Sequence, residues 1–346
     1  MKIRENYSLQ ALNTFGLAAQ TRYFCTLHKL SGVRTLMAWQ QEHPDLPLLF
    51  LGGGSNMLFV NDYPGLVVQV RLETLEILGQ DENYHYVRAG AGNNWHEFVQ
   101  WTIAQGFAGL ENLSLIPGTV GAAPMQNIGA YGVELKDHVY EVQALDWRTA
   151  EIRDFSAEEC RFAYRDSYFK SVEPDRWLIV AVVFRLPRQP QWKIDYAGVK
   201  EPLAGKTLNA RLISDAIIQL RQSKLPNPAE IGNAGSFFKN PLIAPAQWAT
   251  LKVQFPDIPG WPQHDQVKTS AGWLIDQCGW KGKRDGDAGT YAKHALVLVN
   301  HGNATGAEVW HFAQAIIASV QDKFGITLEP GTTGDSLGAN LCSVPL

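Results

Sequence analysis

The chain of 346 residues predicts an α+β fold of about two or three domains. Three observations carry this reading. Segments with helical spacing of apolar residues are mixed with short apolar or alternating runs that read as strands. The two kinds do not alternate strictly, which disfavours a doubly wound parallel sheet. Two glycine clusters, at 52–54 and 116–132, stand among apolar residues and so belong to built loops, not to linkers. Hydrophobic residues at 45% and charged residues at 18% leave ample material for a core.

Residues 1–70 read as a small α/β unit. Leu30, Val33, Leu36, Met37 and Trp39 suggest a helix, the run 48–51 a strand and the run 66–70 a second strand. From Tyr86 the order is strand (86–89), glycine turn (90–92), then a helix. Asn94 and Glu97 resemble a capping box, Trp95, Phe98, Val99 and Ile103 mark one face, and Gly106 ends it. Strand runs recur at 139–145 and 177–185. The stretch 186–204, with Pro187, Pro190 and Pro202, is a loop by pattern. Residues 211–222 form an amphipathic helix stopped by Pro226 and Pro228. Thr305 and Glu308 make a second capping box for a helix running to Gly325, after which 326–328 reads as a strand delivering Glu329.

The run 116–132, Ile-Pro-Gly-Thr-Val-Gly-Ala-Ala-Pro-Met-Gln-Asn-Ile-Gly-Ala-Tyr-Gly, is the most informative in the chain. Gly118, Gly121, Gly129 and Gly132 carry no Cβ, so backbone can come close to a large flat ligand. A glycine-rich surface loop is the plain alternative, weakened by Ile116, Val120, Met125, Ile128 and Tyr131. Gly52-Gly53-Gly54-Ser55-Asn56 follows the apolar run 48–51, and a strand entering such a turn presents bare N–H groups suited to a pyrophosphate. Neither Gly-x-Gly-x-x-Gly in its strand–turn–helix setting nor the Walker pattern occurs, so a nucleotide would be held by some other fold.

A net charge of −4 and the absence of any basic run argue against nucleic-acid and membrane-surface roles. Four scattered cysteines without Cys-x-x-Cys signal no metal site and fit a reducing cytoplasm. The first residues lack the apolar core of a signal peptide, and the longest apolar run, 178–184, falls far short of the ~20 residues of a membrane span. A soluble, cytoplasmic protein is expected. Among nine histidines only His294, beside the run 295–299, reads as near a site.

Three further runs are chemically suggestive, and each has a bland reading. Ser236 lies between small residues and two phenylalanines, with Lys239 able to polarise a hydroxyl; a serine in a turn is the alternative. Arg165 can fork onto a carboxylate, or form a surface pair with Asp166. Arg221 and Lys224 can answer a diphosphate, or favour a helix dipole.

Taken together, these segments resemble the UDP-N-acetylenolpyruvoylglucosamine reductase family. The resemblance runs through Asn13-Thr14-Phe15-Gly16, Leu51-Gly52-Gly53-Gly54-Ser55-Asn56, Gly90-Ala91-Gly92-Asn93-Asn94-Trp95, the run 116–132, Tyr164-Arg165-Asp166-Ser167, Lys224-Leu225-Pro226, the run 235–241, the run 271–276 and Leu328-Glu329-Pro330. These words occur in the family's order over almost the whole chain.

The resemblance implies an FAD-binding fold of the vanillyl-alcohol-oxidase type, two α+β subdomains plus a third α+β substrate-binding domain. The boundaries expected are 1–71, 72–219 with 330–346 returning to it, and 220–329. It implies non-covalent FAD, NADPH as co-substrate, a UDP-sugar substrate and a monomer. Arg165, Ser236 and Glu329 would be catalytic: Ser236 as proton donor, the other two stabilising an enediolate. Gly52, Gly53, Gly54, Ser55, Asn56, Ile116, Pro117, Gly118, Gly121, Ala122, Gln126, Asn127, Gly129 and Ala130 would hold FAD. Tyr131, Tyr196, Lys224 and Asn240 would contact substrate, with Arg221 and His294 added from their own chemistry. The spacer carrying Tyr196 resembles the family's longer form. After Pro330 the family continues with an acidic residue, valine and arginine, where this chain has Gly331-Thr332-Thr333-Gly334. Two other readings stand beside this one: another FAD oxidoreductase of the same fold, or a non-catalytic sugar-nucleotide binding protein.

Overall fold

The computed structural model describes residues 2–333 and 341–343. The chain forms two compact units, one of Met1–Tyr7, Thr21–Gly53 and Pro64–Ser223, the other of Ser8–Gln20, Gly54–Tyr63 and Lys224–Leu346.

The first unit is built on two sheets. Strands β1 (Arg4–Ser8), β2 (Gln20–Leu27), β3 (Leu48–Leu51) and β5 (Tyr63–Val70) lie in the order β1-β2-β5-β3, with β3 and β5 parallel. Helix α1 (Val33–Glu42) buries Val33 and Leu36 against Leu66, Val68 and Cys25 of this sheet. The second sheet has the order β11-β10-β12-β7-β6, all antiparallel: β6 (Leu75–Gln80), β7 (Tyr84–Gly90), β10 (Val139–Asp146), β11 (Ile152–Ser156) and β12 (Trp177–Pro187). Nearly every residue from Leu178 to Leu186 of β12 is buried, which explains its continuous apolar sequence. Helix α2 (Trp95–Ala104) buries Trp95 and Phe98, whose rings meet Phe184 of β12. Its N-cap is Asn94, accepting from the Glu97 N–H at 3.1 Å, but no reciprocal Glu97 bond completes the expected box. Gly106 follows α2 at φ +81°, the left-handed geometry that lets a helix stop.

A short hairpin, β8 (Gly129–Ala130) with β9 (Val133–Glu134), closes the glycine-rich run. Helix α3 (Tyr168–Ser171) follows the Arg165 turn. Helix α4 (Ala210–Lys224) packs Ile213, Ala216 and Ile217 on Val199 and Leu203, so the proline-rich loop before it has an apolar seat. That loop contains one short 3₁₀ turn, Glu201–Leu203.

The second unit centres on a four-stranded sheet, β13-β19-β18-β17, from β13 (Gly232–Ser236), β17 (Arg284–Asp285), β18 (Ala288–Tyr291) and β19 (His294–Asn300). A three-stranded sheet joins β14 (Leu242–Ile243), β15 (Gly260–Gln263) and β16 (Gln266–Thr269) in the order β14-β16-β15. Helices α5 (Pro245–Gln254), α6 (Ala271–Gln277) and α7 (Gly306–Phe324) enclose a core that includes Phe237, Phe238, Leu274, Phe312 and Ile316. The capping box expected at the start of α7 is formed in both directions between Thr305 and Glu308, and Gly325 ends the helix at φ +64°. Residues 8–20 join this unit through side-chain amides. Asn13 Nδ2 donates to Leu9 O and Leu17 O, its Oδ1 accepts from Leu17 N–H, and Asn300 Nδ2 donates to Phe15 O. A third small sheet pairs β20 (Thr332–Thr333) with β21 (Leu341–Ser343), and β21 with β4 (Met57–Phe59). The remainder of the expected atypical tail, 334–340 and 344–346, lies outside the described residues.

One sequence expectation is corrected here, and the exposed strand β6 was not foreseen. Residues 326–328 are not a strand: the segment makes one backbone bond, Lys239 N–H to Glu329 O at 2.9 Å, and an isolated bridge between Phe238 and Pro330. Pro330 has no N–H to extend a ladder. Strand β6 was unreadable because all six of its residues are exposed, so it shows no alternation.

Candidate active site

In the first unit the glycine-rich run is fastened to the start of α2. Trp95 N–H donates to Gly118 O at 3.1 Å, Val120 N–H to Asn93 O at 3.0 Å and Gly121 N–H to Ala91 O at 2.9 Å. Bareness serves this packing first. A Cβ on Gly121 would stand 2.5 Å from Ala91 Cβ, one on Gly52 2.5 Å from Thr119 Oγ1, and one on Gly53 3.0 Å from Gly118 Cα. At Gly121, where sequence suggested room for a ligand, and at Gly52 and Gly53, the close approach is of chain to chain.

The N–H groups of Gly53, Gly54 and Ser55 have no acceptor among the described residues. Gly54 is held at φ +62°, where a Cβ would stand 1.8 Å from Leu12 O, so no other residue fits. Unpaired N–H groups on a glycine turn fit a pyrophosphate.

Further along the run, Asn127 sits at φ +44° and is almost fully buried. Its side chain is engaged by protein, donating to Glu134 Oε2 and Ala163 O and accepting from Lys136 N–H. Its backbone is engaged as well, the N–H donating to Pro124 O and the carbonyl accepting from Arg165, each at 3.4 Å. Gly129 and Ala130 lead into a two-residue hairpin turn with Tyr131 at φ +50° and Gly132 at φ +83°, the pattern of a type I′ turn. A tyrosine in that position is strained by about 1 kcal/mol, and its ring is presented at the loop tip. Tyr131 meets the Tyr196 ring edge-on at 5.2 Å and lies near enough to Arg221 for the two to influence each other's charge.

Arg165 lies beside this hairpin. It adopts φ +56°, with the turn pinned by the Ala163–Asp166 bridge and by Lys170 Nζ donating to Arg165 O at 2.7 Å. Its guanidinium donates to the carbonyls of Gly129 at 2.9 Å and Asn127 at 3.4 Å. The surface pair with Asp166 is not formed; Asp166 accepts instead from Ser171. Burial lowers the pKa of Arg165, opposed by Tyr164 and Glu134. Burial likewise lowers Arg221, opposed by Tyr131, with Arg165 adding like-charge repulsion. Arg221 Nε is buried without a partner. Neither guanidinium has a carboxylate within ion-pair distance among the described residues. Arginine does not deprotonate, so this corner holds two positive charges that an anionic ligand would neutralise.

Asn112, missed in sequence, ties the corner together. It is fully buried, and its Nδ2 donates to Tyr131 O at 2.9 Å and Lys193 O at 2.7 Å, joining the hairpin tip to the strand of loop that carries Tyr196. Its local sequence, between Glu111 and Leu113, carries no signal that would have found it.

In the second unit Ser236 ends β13 one residue after a bulge. Asn233 pairs with Val299 and Ser236 with Val297, so β13 carries one extra residue there. Gly235 takes up the bulge at φ +72° and donates its N–H to Asn233 Oδ1. Bulges re-aim side chains. Here the result is a half-buried Ser236 whose hydroxyl has no partner among the described residues. Lys239 Nζ points to Glu329 Oε2 at 3.5 Å and makes no bond to Ser236. Glu329 is 73% exposed at its side chain, with its backbone fixed to Lys239. Asn240 Oδ1 accepts from Ala271 N–H at 3.0 Å, leaving its amide NH₂. Burial lowers the pKa of His294, and Lys224 and Lys281 lower it further. His294 is thus a neutral imidazole beside two ammonium groups, its Nδ1 accepting from Leu296 N–H at 3.3 Å.

The unit-by-unit grouping is therefore Arg165, Arg221, Tyr131 and Tyr196 with the glycine-rich run in one, and Ser236, Glu329, Lys239, Asn240, Lys224 and His294 in the other.

Comparison with known proteins follows this division. Residues 22–156 match a family described as an FAD binding domain. Residues 227–333 match one described as the C-terminal domain of UDP-N-acetylenolpyruvoylglucosamine reductase. An enzyme of that name from Pseudomonas putida is 49% identical over 330 residues, covering 94% of this chain and 97% of its own. Another from Chromobacterium violaceum is 49% identical over 339 residues, covering 95% and 98%. The crystal structure of the Thermus caldophilus reductase has the same fold, with a TM-score of 0.67 at 24% identity over 96% of this chain and 99% of that one. The FAD-binding match and these relatives make the protein an FAD-dependent oxidoreductase. The chain belongs to the UDP-N-acetylenolpyruvoylglucosamine reductase family. No helix among the described residues is long and apolar enough to cross a membrane.

Proposed function

We propose that this enzyme reduces the enolpyruvyl group of UDP-N-acetylglucosamine enolpyruvate to the lactyl ether of UDP-N-acetylmuramate, using NADPH, as a step of peptidoglycan precursor synthesis in the cytoplasm. The observation that carries the proposal is the pair of half-buried arginines, Arg165 and Arg221, with no acidic partner within ion-pair distance among the described residues. The substrate is an anion at its carboxylate and its diphosphate. With FAD bound non-covalently, hydride chemistry would be available here, NADPH being the source of the reducing equivalents. The N–H groups of Gly53, Gly54 and Ser55 would hold its pyrophosphate, and the backbone of 116–122 and 126–130 its ring system.

Addition of hydride to the methylene carbon puts a pair of electrons on the adjacent carbon, spread into its carboxylate. Arg165, fixed by two main-chain carbonyls, would stabilise that enediolate, with Glu329 as its second support. Ser236 would give its proton to the carbon and recover one from solvent. One hydride and one proton then account for the reduced C–C bond. Arg221, Tyr131, Tyr196, Lys224, Asn240 and His294 would bind the rest of the UDP-sugar, and the chain would act as a monomer.

Glu329 can help only by donating a hydrogen bond in its protonated form, or by sharing a proton. Glu329→Gln is therefore expected to keep more activity than Glu329→Ala, with the loss in reoxidation of reduced enzyme by the sugar. Stopped-flow reoxidation of Glu329→Ala within a factor of a few of wild type would remove Glu329 from the reaction.

The proposal as a whole is tested by purifying the protein, precipitating it with acid and assaying NADPH oxidation with and without the enolpyruvyl sugar. A yellow supernatant, a colourless pellet and sugar-dependent NADPH consumption are expected. Colour retained on the pellet would contradict non-covalent binding, and consumption indifferent to the sugar would contradict the substrate.

A further inference from the structure

The glycine-rich run starts from a residue in an unfavourable conformation. Leu115, immediately before Ile116, is held at φ +58°, a left-handed geometry that a branched side chain rarely adopts. Its neighbours are gripped from two helices. Trp95 Nε1 of α2 donates to Leu113 O at 2.9 Å, and Ser114 Oγ lies 2.7 Å from Ser214 Oγ of α4. The Leu115 N–H itself is accepted by Nδ1 of His96, on α2, at 2.9 Å. No other acceptor for it occurs among the described residues. A backbone N–H can only donate, so Nδ1 carries no proton and His96 is neutral with its proton on Nε2.

We infer that His96 is a positioning residue: by accepting the Leu115 N–H it holds the run that opens at Ile116 in the shape that receives FAD. The inference rests on the reading of residues 116–122 as the cofactor's backbone contact. His96 acts through Leu115 and is assigned no contact with FAD.

The electrostatics agree with this geometry. Burial lowers the pKa of His96; Glu97, on its own helix, raises it, and Arg221, from α4, lowers it. No other charged group is felt strongly. A histidine whose pKa is depressed when its bond is made favours that arrangement above its ordinary value near 6.5, and the advantage is lost as pH falls below it. Protonated His96 has no lone pair at Nδ1 for Leu115, and it stands as a further cation beside Arg221.

The test is release of FAD from the holoprotein on dilution at a series of pH values, read by fluorescence of free FAD. Wild type, His96→Asn and His96→Leu are compared, each checked by thermal melting. Asparagine places Oδ1 near the position of Nδ1 and does not titrate. Wild type is expected to hold FAD more weakly at about pH 5 than at pH 7, by on the order of tenfold, the worth of one buried donor left unpaired. His96→Asn should bind like wild type at pH 7 and lose the slope. His96→Leu should bind more weakly, again by on the order of tenfold, at every pH. Should His96→Leu fail to fold, the flat profile of His96→Asn decides. A His96→Asn profile as steep as that of wild type, or His96→Leu with unchanged affinity, would overturn the inference while leaving the cofactor reading intact. A wild-type protein that carried no FAD would overturn both.

Discussion

Replacing Ser236 by alanine is expected to separate the two halves of the reaction. Reduction of the enzyme by NADPH requires no proton at the substrate carbon and should proceed at nearly the wild-type rate. Reoxidation by the enolpyruvyl sugar should slow by roughly 10²-fold or more, the usual worth of a positioned proton donor. The local structure makes this substitution a clean one. Ser236 is half-buried, its hydroxyl holds no other group, and the bulge that aims it is formed by Gly235 and Asn233, so alanine should not disturb the strand. Equal losses in both half-reactions, measured by stopped-flow absorbance of the flavin, would make Ser236 a structural residue.

The second large effect is expected at Arg165. Arg165→Ala should slow reoxidation by the sugar by roughly 10²- to 10³-fold, the range for removing one preorganised group that stabilises developing negative charge. Arg165→Lys should restore little of it. The guanidinium is oriented by two carbonyls, Asn127 O and Gly129 O, and a single ammonium cannot satisfy both and still present a fork to a carboxylate. Because the charge exists only near the transition state, the loss should fall on turnover more than on the concentration of sugar needed for half-maximal rate. The same readout as for Ser236 checks it. A lysine variant with wild-type turnover would mean that simple charge at this position suffices.

How much of this was legible in the sequence differs from residue to residue. The α7 cap was readable because Thr305 and Glu308 act on each other across a single turn. Helix α4 was readable because its apolar spacing answers one seat, the loop bearing Val199 and Leu203. The significance of Ser236 was not, since the feature that aims it is a bulge between β13 and a strand sixty residues away in sequence, and the pattern alone favoured a serine in a turn. Family resemblance, not spacing, singled it out. Asn112 and His96 escaped notice for a related reason. Each acts on backbone brought to it by tertiary folding, Tyr131 and Lys193 in one case and Leu115 in the other. The glycines of 116–132 were read as sites of close approach to a ligand and those of 52–54 as bare N–H donors, but sequence could not show where chain approaches chain. At Gly52, Gly53 and Gly121 the neighbour is the chain itself.

The central claim is that one flavin carries reducing equivalents from NADPH to an enolpyruvyl sugar on this chain. Its most direct test is an anaerobic double-mixing experiment on the purified protein, first with NADPH and then with UDP-N-acetylglucosamine enolpyruvate, following the visible flavin band. Bleaching on the first mixing and full return of the band on the second are expected, with one UDP-N-acetylmuramate formed per flavin. A band that bleaches with NADPH but does not return when the sugar is added would contradict it.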